Sequence, residues 1–163
     1  MTNKSIFVTV GTTKFDELIT AIINPLTLQI LKKKGFSTIT MQIGNSKIIP
    51  HSSGLIDIQY YTYKPDIEHD MSNHDLIISH GGAGSIMQAL DHNKALLVVI
   101  NENLMDNHQY ELAEKLFEDK RLFFTTCNNL CSFIENIDFS SINSSSIDNS
   151  SKISKYIEHF LNV

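Results

Sequence analysis

Residues 78–90 read I-S-H-G-G-A-G-S-I-M-Q-A-L, with three glycines inside four positions, a histidine before them and a serine after. An apolar run, Asp75 to Ser79, leads in, and a helix-like run follows. A glycine-dense strand-to-helix junction lets a backbone approach a ligand closely, and the free N–H groups of a helix start favour an anion. A second glycine, Gly11, ends the run Ser5 to Val10 and is followed by Thr12 and Thr13. Together the two loops offer Gly11, Gly82, Ala83 and Gly84 as close-approach backbone, and Thr12, Thr13 and Ser85 as hydroxyl donors. A phosphate or diphosphate is the natural guest; the plainer alternative is that Gly81, Gly82 and Gly84 only make a tight turn. Two familiar phosphate motifs fail. No lysine follows the glycines as a Walker A loop requires, and a dinucleotide fingerprint begun at Gly82 meets Met87 where it needs glycine.

A third stretch, Asn101 to Gln109, is dense in groups that hydrogen-bond neutral hydroxyls and amides. A phosphate on one side and a polyhydroxylated group on the other describe a nucleotide-sugar. Asp106 or Asn107 acting only as a helix cap is the alternative, and capping and binding are compatible. His80 has two readings: a proton donor or cation beside a departing phosphate, or a brace for the loop. Its unperturbed pKa is about 6.5, and a diphosphate nearby favours the charged form. Cys127 and Cys131 are spaced for one face of a helix, but no further ligands accompany them, so free thiols are expected and no metal site. His51, His69, His74, His92 and His159 share no metal-binding spacing.

The elements that must position these residues alternate. Strands are expected at Ser5–Val10, Phe36–Ile43, Leu55–Tyr61, Leu76–Ser79, Ala95–Ile100 and Leu122–Thr126. Helices are expected across Phe15–Lys34 with a break at Asn24–Pro25, at Pro65–Met71, from the glycine loop to Asp91, from the Asn101–Asp106 loop to Asp119, and at Asn128–Ile137 with Asn128 as N-cap. Such alternation predicts an α/β, Rossmann-like, doubly wound and mostly parallel sheet. With strand order 3-2-1-4-5-6, strands one and four flank the ligand crevice, and their ends are the two glycine-bearing loops.

Residues 1–137 read as one domain, 138–151 as a Ser/Asn-rich linker, and 152–163 as an amphipathic helix with Ile153, Tyr156, Ile157, Phe160 and Leu161 on one face. That helix either packs on its own domain or meets a partner. The 163 residues carry a formal net charge of -5, which argues against a nucleic-acid partner. Lys32, Lys33 and Lys34 complement a helix end. No apolar stretch approaches the roughly 20 residues needed to span a bilayer, and no signal peptide is evident, so a cytosolic chain is expected, held at any membrane by something else.

The three stretches together resemble a known family. Ile78 to Ile86 is similar to the S-H-x-G-x-G-S segment of the catalytic subunit of the two-component UDP-N-acetylglucosamine transferase. Asn101 to Gln109 is similar to its N-x-x-L-M-[DN]-N-H-Q segment, and Phe7 to Leu18 to its N-terminal strand and loop. The resemblance covers roughly residues 5–126. It implies the C-terminal, donor-binding half of a GT-B glycosyltransferase, akin to the bacterial enzyme that completes lipid II. It also implies transfer of N-acetylglucosamine from UDP-GlcNAc to dolichol-diphosphate-N-acetylglucosamine at the cytosolic face of the endoplasmic reticulum. The acceptor half would be a separate, membrane-anchored subunit, with the C-terminal helix near that contact. By motif, Gly82, Ala83, Gly84 and Ser85 would cradle the diphosphate, with Thr12 and Thr13 approaching from the first loop. His108 and Gln109, with Asn107 assisting or shaping the loop, would face the donor sugar, and Tyr63–Lys64 would lie near the uracil. Many relatives carry an acidic residue where Gln88 stands; a carboxylate accepts both ribose hydroxyls, whereas glutamine offers one acceptor and one donor.

The implied reaction is an inverting transfer whose growing phosphate charge is met by backbone N–H groups. The chain has no D-x-D sequence, which fits leaving-group stabilisation without a metal, and no cofactor beyond the donor is expected. No general base is evident here; by the resemblance it comes from the partner half. The competing reading is a nucleotide-sugar-binding or regulatory module without catalysis. A single-chain transferase for a soluble acceptor ranks last, because the chain is too short for a second Rossmann-like domain.

Overall fold

The computed structural model describes residues 3–104 and 107–141. The expected terminal helix at 152–163 and most of the linker lie outside the described residues. Six strands form one parallel sheet: β1 Lys4–Thr9, β2 Phe36–Gln42, β3 Asp57–Tyr61, β4 Leu76–His80, β5 Ala95–Ile100 and β6 Phe123–Thr126. Their order across the sheet is β3-β2-β1-β4-β5-β6, so β1 and β4 are neighbours at the point where the chain reverses its direction of winding.

Alternation along the strands divides the core. Ile6, Val8, Ile39, Ile78, Leu97 and Val99 point to one face, which is covered by α1 (Asp16–Ile23), α2 (Pro25–Lys33) and α6 (Leu130–Asn136). Phe7, Ile77, Leu96, Val98 and Ile100 point to the other, beneath α3 (Glu68–Asn73), α4 (Ala83–Asp91) and α5 (Asn107–Glu118). A sheet buried on both faces needs apolar residues at consecutive positions, which is why β4 and β5 read as unbroken runs.

The expected break at Asn24–Pro25 separates two helices. Asn24 ends α1, and its side chain accepts from the Leu26 N–H at 2.9 Å to begin α2, with Pro25 at the first helical position, where its missing N–H costs nothing. Two helix starts differ from expectation. The helix after β3 begins at Glu68 rather than Pro65, because the Asp66 carboxylate accepts the Glu68 N–H at 2.8 Å and holds the preceding residues in a turn. The last helix begins at Leu130, so Asn128 is not its N-cap. Asn129 occupies that position without a side-chain cap, and its amide donates to Thr126 Oγ1 at 3.2 Å. Cys127 therefore lies in the turn before α6.

The packing also runs past residue 137. The Phe139 ring meets Phe36 and Phe123 edge-on at centroid distances of 6.3 and 5.9 Å, and Lys34 Nζ donates to the Ile137 carbonyl at 2.7 Å. All of these lie at the N-terminal end of the strands, opposite the glycine loops.

Leu97 is fully buried in the central part of the sheet. Leu97→Ala is expected to lower the unfolding free energy by about 2–5 kcal/mol through lost transfer and residual cavity. Urea denaturation should show a lower midpoint at an unchanged slope.

Candidate functional site

At the last register position of the three central strands, Thr9 pairs with Gln42 on one side and Ser79 on the other. All three are buried although polar. Thr9 Oγ1 donates to Gln42 Oε1 at 2.6 Å and accepts the Gly11 N–H at 3.0 Å; Ser79 Oγ donates to the His80 carbonyl at 2.9 Å. Thr9 thus joins Gln42 and the Gly11 loop, and Ser79 is satisfied by the neighbouring His80 carbonyl, so burial of these hydroxyls costs little. Sequence reading passed over these residues. The available signal was a polar side chain following the apolar residues near the carboxyl end of each of these strands.

The two glycine loops meet across one imidazole. A Cβ on Gly11 would stand 3.1 Å from His80 Cε1, and a Cβ on Gly82 would stand 2.5 Å from His80 Nε2. The ring is thus wedged between the end of β1 and the start of α4, and only glycine leaves room on both sides. Burial pushes the His80 pKa below the ordinary imidazole range, with the Thr9 carbonyl pulling less strongly the other way. Nδ1 is buried short of any hydrogen bond. Without a ligand the imidazole is a neutral wedge at pH 7, which favours the bracing role; a cationic role needs a nearby negative charge to raise the pKa.

The first loop is braced from below. Thr13 donates both its N–H (3.2 Å) and its hydroxyl (2.7 Å) to the Val10 carbonyl, so these donors serve the turn. The Thr12 carbonyl accepts from Asn45 Nδ2 at 3.2 Å, and the Thr13 carbonyl accepts the Asn45 N–H at 3.1 Å. Gly44, at φ +57°, passes so close that a Cβ there would collide with the Thr13 carbonyl oxygen.

In the second loop the glycines separate by cause. Gly81 makes room for Gln109, whose Oε1 would lie 2.9 Å from a Cβ there, so the start of α5 seats directly on the glycine loop. Gly82 makes room for His80. Gly84 makes room for nothing among the described residues: a Cβ would meet no atom of another element within 4 Å. Gly82 is the N-cap of α4 and no side chain caps that end, so the first-turn amides of Ala83, Gly84 and Ser85 face outward. Gln88, half-buried, lies four residues after Gly84 and on the same side of the helix.

The Asn107 and His108 side chains lie outside the described residues. Asn103, from the same connection, donates to Glu17 Oε1 at 2.7 Å and ties it to α1. Between them opens a cleft of about 480 Å³ lined by Asp16, Glu17, Glu102, Asn103 and Cys127. Its carboxylates repel an anion, so it is no rival for a diphosphate. Burial first, then the Glu17 and Glu102 charges, push the Cys127 thiol up to about 12. Such a thiol is a poor nucleophile and a poor metal ligand at neutral pH. Among the described residues no group of three or more His, Cys, Asp or Glu is placed to hold a metal ion. Of the pair expected near a uracil, Tyr63 is exposed, and Lys64 is engaged with Asp70 at 3.2 Å and lies over the Tyr61 ring.

This parallel sheet, with its loops at the carboxyl ends of β1, β4 and β5, is the C-terminal half of a GT-B glycosyltransferase. A structural match covers 97% of the chain and 46% of Acinetobacter baumannii MurG at a TM-score of 0.64 and 17% identity. A second match covers 95% of the chain and 95% of the solution structure of ALG13 at a TM-score of 0.74 and 22% identity. The chain belongs to the glycosyltransferase family 28 C-terminal domain family, whose model matches residues 5–151. It is 44% identical over 126 residues to the Homo sapiens UDP-N-acetylglucosamine transferase subunit ALG13, a match that takes in 76% of this chain but spans only 11% of that relative.

Two outcomes follow from the His80 wedge. Gly82→Ala should cost about 1–3 kcal/mol by overpacking against the ring. Adding His80→Ala should offset part of that loss, leaving the double variant more stable than the two single losses predict. The folded imidazole also titrates below the unfolded value of about 6.5. The unfolded chain therefore binds the proton first as pH falls, and this contribution to stability is lost from about pH 6.5 downward. Urea titrations at several pH values should show a decline that is shallower in His80→Ala.

Proposed function

We propose that the chain is the donor-binding, catalytic subunit of a transferase that moves N-acetylglucosamine from UDP-GlcNAc to dolichol-diphosphate-N-acetylglucosamine, the second step in assembling the lipid-linked oligosaccharide for N-glycosylation. The observation that carries the donor half of this reading is Gly84. Gly11, Gly81 and Gly82 have packing partners in the chain, whereas Gly84 meets no packing partner among the described residues and lies in the uncapped first turn of α4. A mid-turn helical glycine costs stability relative to alanine, so its use there suits a ligand that presses against the backbone. Family membership and a relative named as a UDP-N-acetylglucosamine transferase subunit support the choice of donor.

In this reading the amides of Ala83, Gly84 and Ser85 hold the UDP diphosphate, with Gly11 and Thr12 opposite. Gln88 takes a ribose hydroxyl, and Gln109 with Asn107 and His108 meets the sugar. An acceptor hydroxyl oxygen attacks the anomeric carbon from the face opposite the phosphate. The new C–O bond forms as the bond to the diphosphate oxygen breaks, the electron pair leaves with UDP, and the acceptor proton passes to a base on the partner. The helix amides meet the growing charge, and that same charge raises the His80 pKa toward a donating state. No metal or cofactor is assigned a part in this step.

The partner is a membrane-anchored subunit carrying the acceptor site at the cytosolic face of the endoplasmic reticulum. The naming of the related proteins as subunits supports a partner. The expected terminal helix at 152–163 is the element proposed to dock it. Gln88 supports a second reading, a nucleotide-sugar-binding module without catalysis, because an amide holds a ribose diol less well than a carboxylate.

The test is transfer of labelled N-acetylglucosamine from UDP-GlcNAc to a dolichol-diphosphate-GlcNAc analogue, with and without the partner. Activity is expected only from the pair; an inactive pair of folded, associated subunits would sink the catalytic reading. Gly84→Val should leave thermal unfolding within a few degrees of wild type. It should nonetheless weaken UDP-GlcNAc binding by at least about tenfold, a loss of about 1.4 kcal/mol.

A further inference from the structure

We propose that the aromatic face formed by α5 and β6 is the seat of this chain's own residues 152–163, which cover it when no partner is bound. The inference stands on surface chemistry and does not rest on the donor reading. Tyr110 and Phe117 lie seven residues apart on α5, so two turns of helix bring them to one side. Both meet the same ring, Phe124 of β6, edge-on: Tyr110 at a centroid distance of 5.7 Å and Phe117 at 5.5 Å. The core side of α5 is already occupied by Leu112, Ala113 and Leu116. Tyr110 and Phe117 stand outside it, 41% and 44% exposed. Apolar side chains scattered singly over a surface need no explanation, but three rings in contact make a continuous patch.

The place of the patch adds a reason for cover. β6 is the last strand of the sheet, so its outer edge has no neighbouring strand. On one face of that strand Phe123 is covered, with the Phe133 and Phe139 rings packed against it at 6.0 and 5.9 Å. Phe124, the next residue, points to the other face. There the outermost rings, Tyr110 and Phe117, stay open to solvent among the described residues.

Reach, pattern and charge single out the occupant. The described chain ends at Ser141, two residues beyond Phe139 and so beside β6. The ten residues 142–151 can span about 33–36 Å when extended, far more than the roughly 10 Å between packed layers. Beyond them Ile153, Tyr156, Ile157, Phe160 and Leu161 recur at helical spacing. A twelve-residue helix is about 18 Å long, enough to lie along the roughly 10 Å from Tyr110 to Phe117. Beside the rings α5 exposes Glu111, Glu114 and Glu118, and Lys152 and Lys155 flank the apolar residues of the terminal segment. An apolar stripe thus meets an aromatic patch, and lysines meet carboxylates. The terminal segment has two alternative places: this seat in the free chain, and the partner contact proposed above.

Hydrogen exchange of the full 163-residue chain, read by mass spectrometry, tests the seat. A twelve-residue helix is marginal alone in water, so slow exchange in residues 152–163 requires a surface that holds them. Wild type should exchange there at least about tenfold more slowly than a Tyr110→Ser, Phe117→Ser double variant, with β4 and β5 equally protected in both. The protection should not change when the chain is diluted. If the double variant fails to fold, Lys152→Glu with Lys155→Glu, outside the described domain, decides in its place and should exchange about threefold faster than wild type. A terminal segment unprotected in wild type overturns the inference. So does protection that survives in the deciding variant, which places the segment elsewhere. Protection that fades on dilution also overturns it, because the segment then sits on a second copy.

Discussion

The candidate site depends on one imidazole. His80 ends β4 and lies between Gly11 and Gly82, so it fixes the distance between the loop after β1 and the helix start after β4. A sheet alone sets the spacing of strands, not of the loops that leave them. Here the spacing is set by a rigid, neutral ring with a glycine on each side. The buried row Thr9, Gln42 and Ser79 anchors the strand ends beneath it. Gln109 then seats α5 against Gly81, so a third loop is referred to the same reference point. Changes to the ring act on loop geometry before they act on any chemistry.

Above this base, the division of labour among the glycines is informative. In the second loop, Gly81 and Gly82 answer to Gln109 and His80, whereas Gly84 meets no atom among the described residues. A loop selected only for tight turning would show packing reasons throughout. The open face of Gly84, the uncapped amides of α4 and the placement of Gln88 one turn on describe a surface finished by something outside the chain. The acidic cleft beside Glu17 and Glu102 lies on the other side of the β5 connection and has the wrong sign for the same guest.

Strand existence and the sheet order were legible in the sequence because strands buried on both faces need runs of apolar residues, and Ile6–Val8, Leu76–Ile78 and Ala95–Ile100 meet that requirement. The break at Asn24–Pro25 was legible because proline and asparagine act locally. Helix starts were less so. Asp66 and Asn129 each redirect the chain by one side-chain contact, and composition does not reveal which of several polar residues makes it. The least legible features join residues far apart in sequence: Thr9 with Gln42, Gly44 with Thr13, Tyr61 with Asp70. The lysine expected near a base has its charge turned inward to Asp70, a fact that no local pattern contains.

Phe139 and the Lys34–Ile137 hydrogen bond pin the chain at the N-terminal end of the strands, the end remote from the glycine loops. Whatever is joined after residue 141 starts from the floor of the sheet. The architecture thereby separates the glycine-loop end of the sheet from the end at which the described chain leaves it, an arrangement suited to a module found in proteins of very different size.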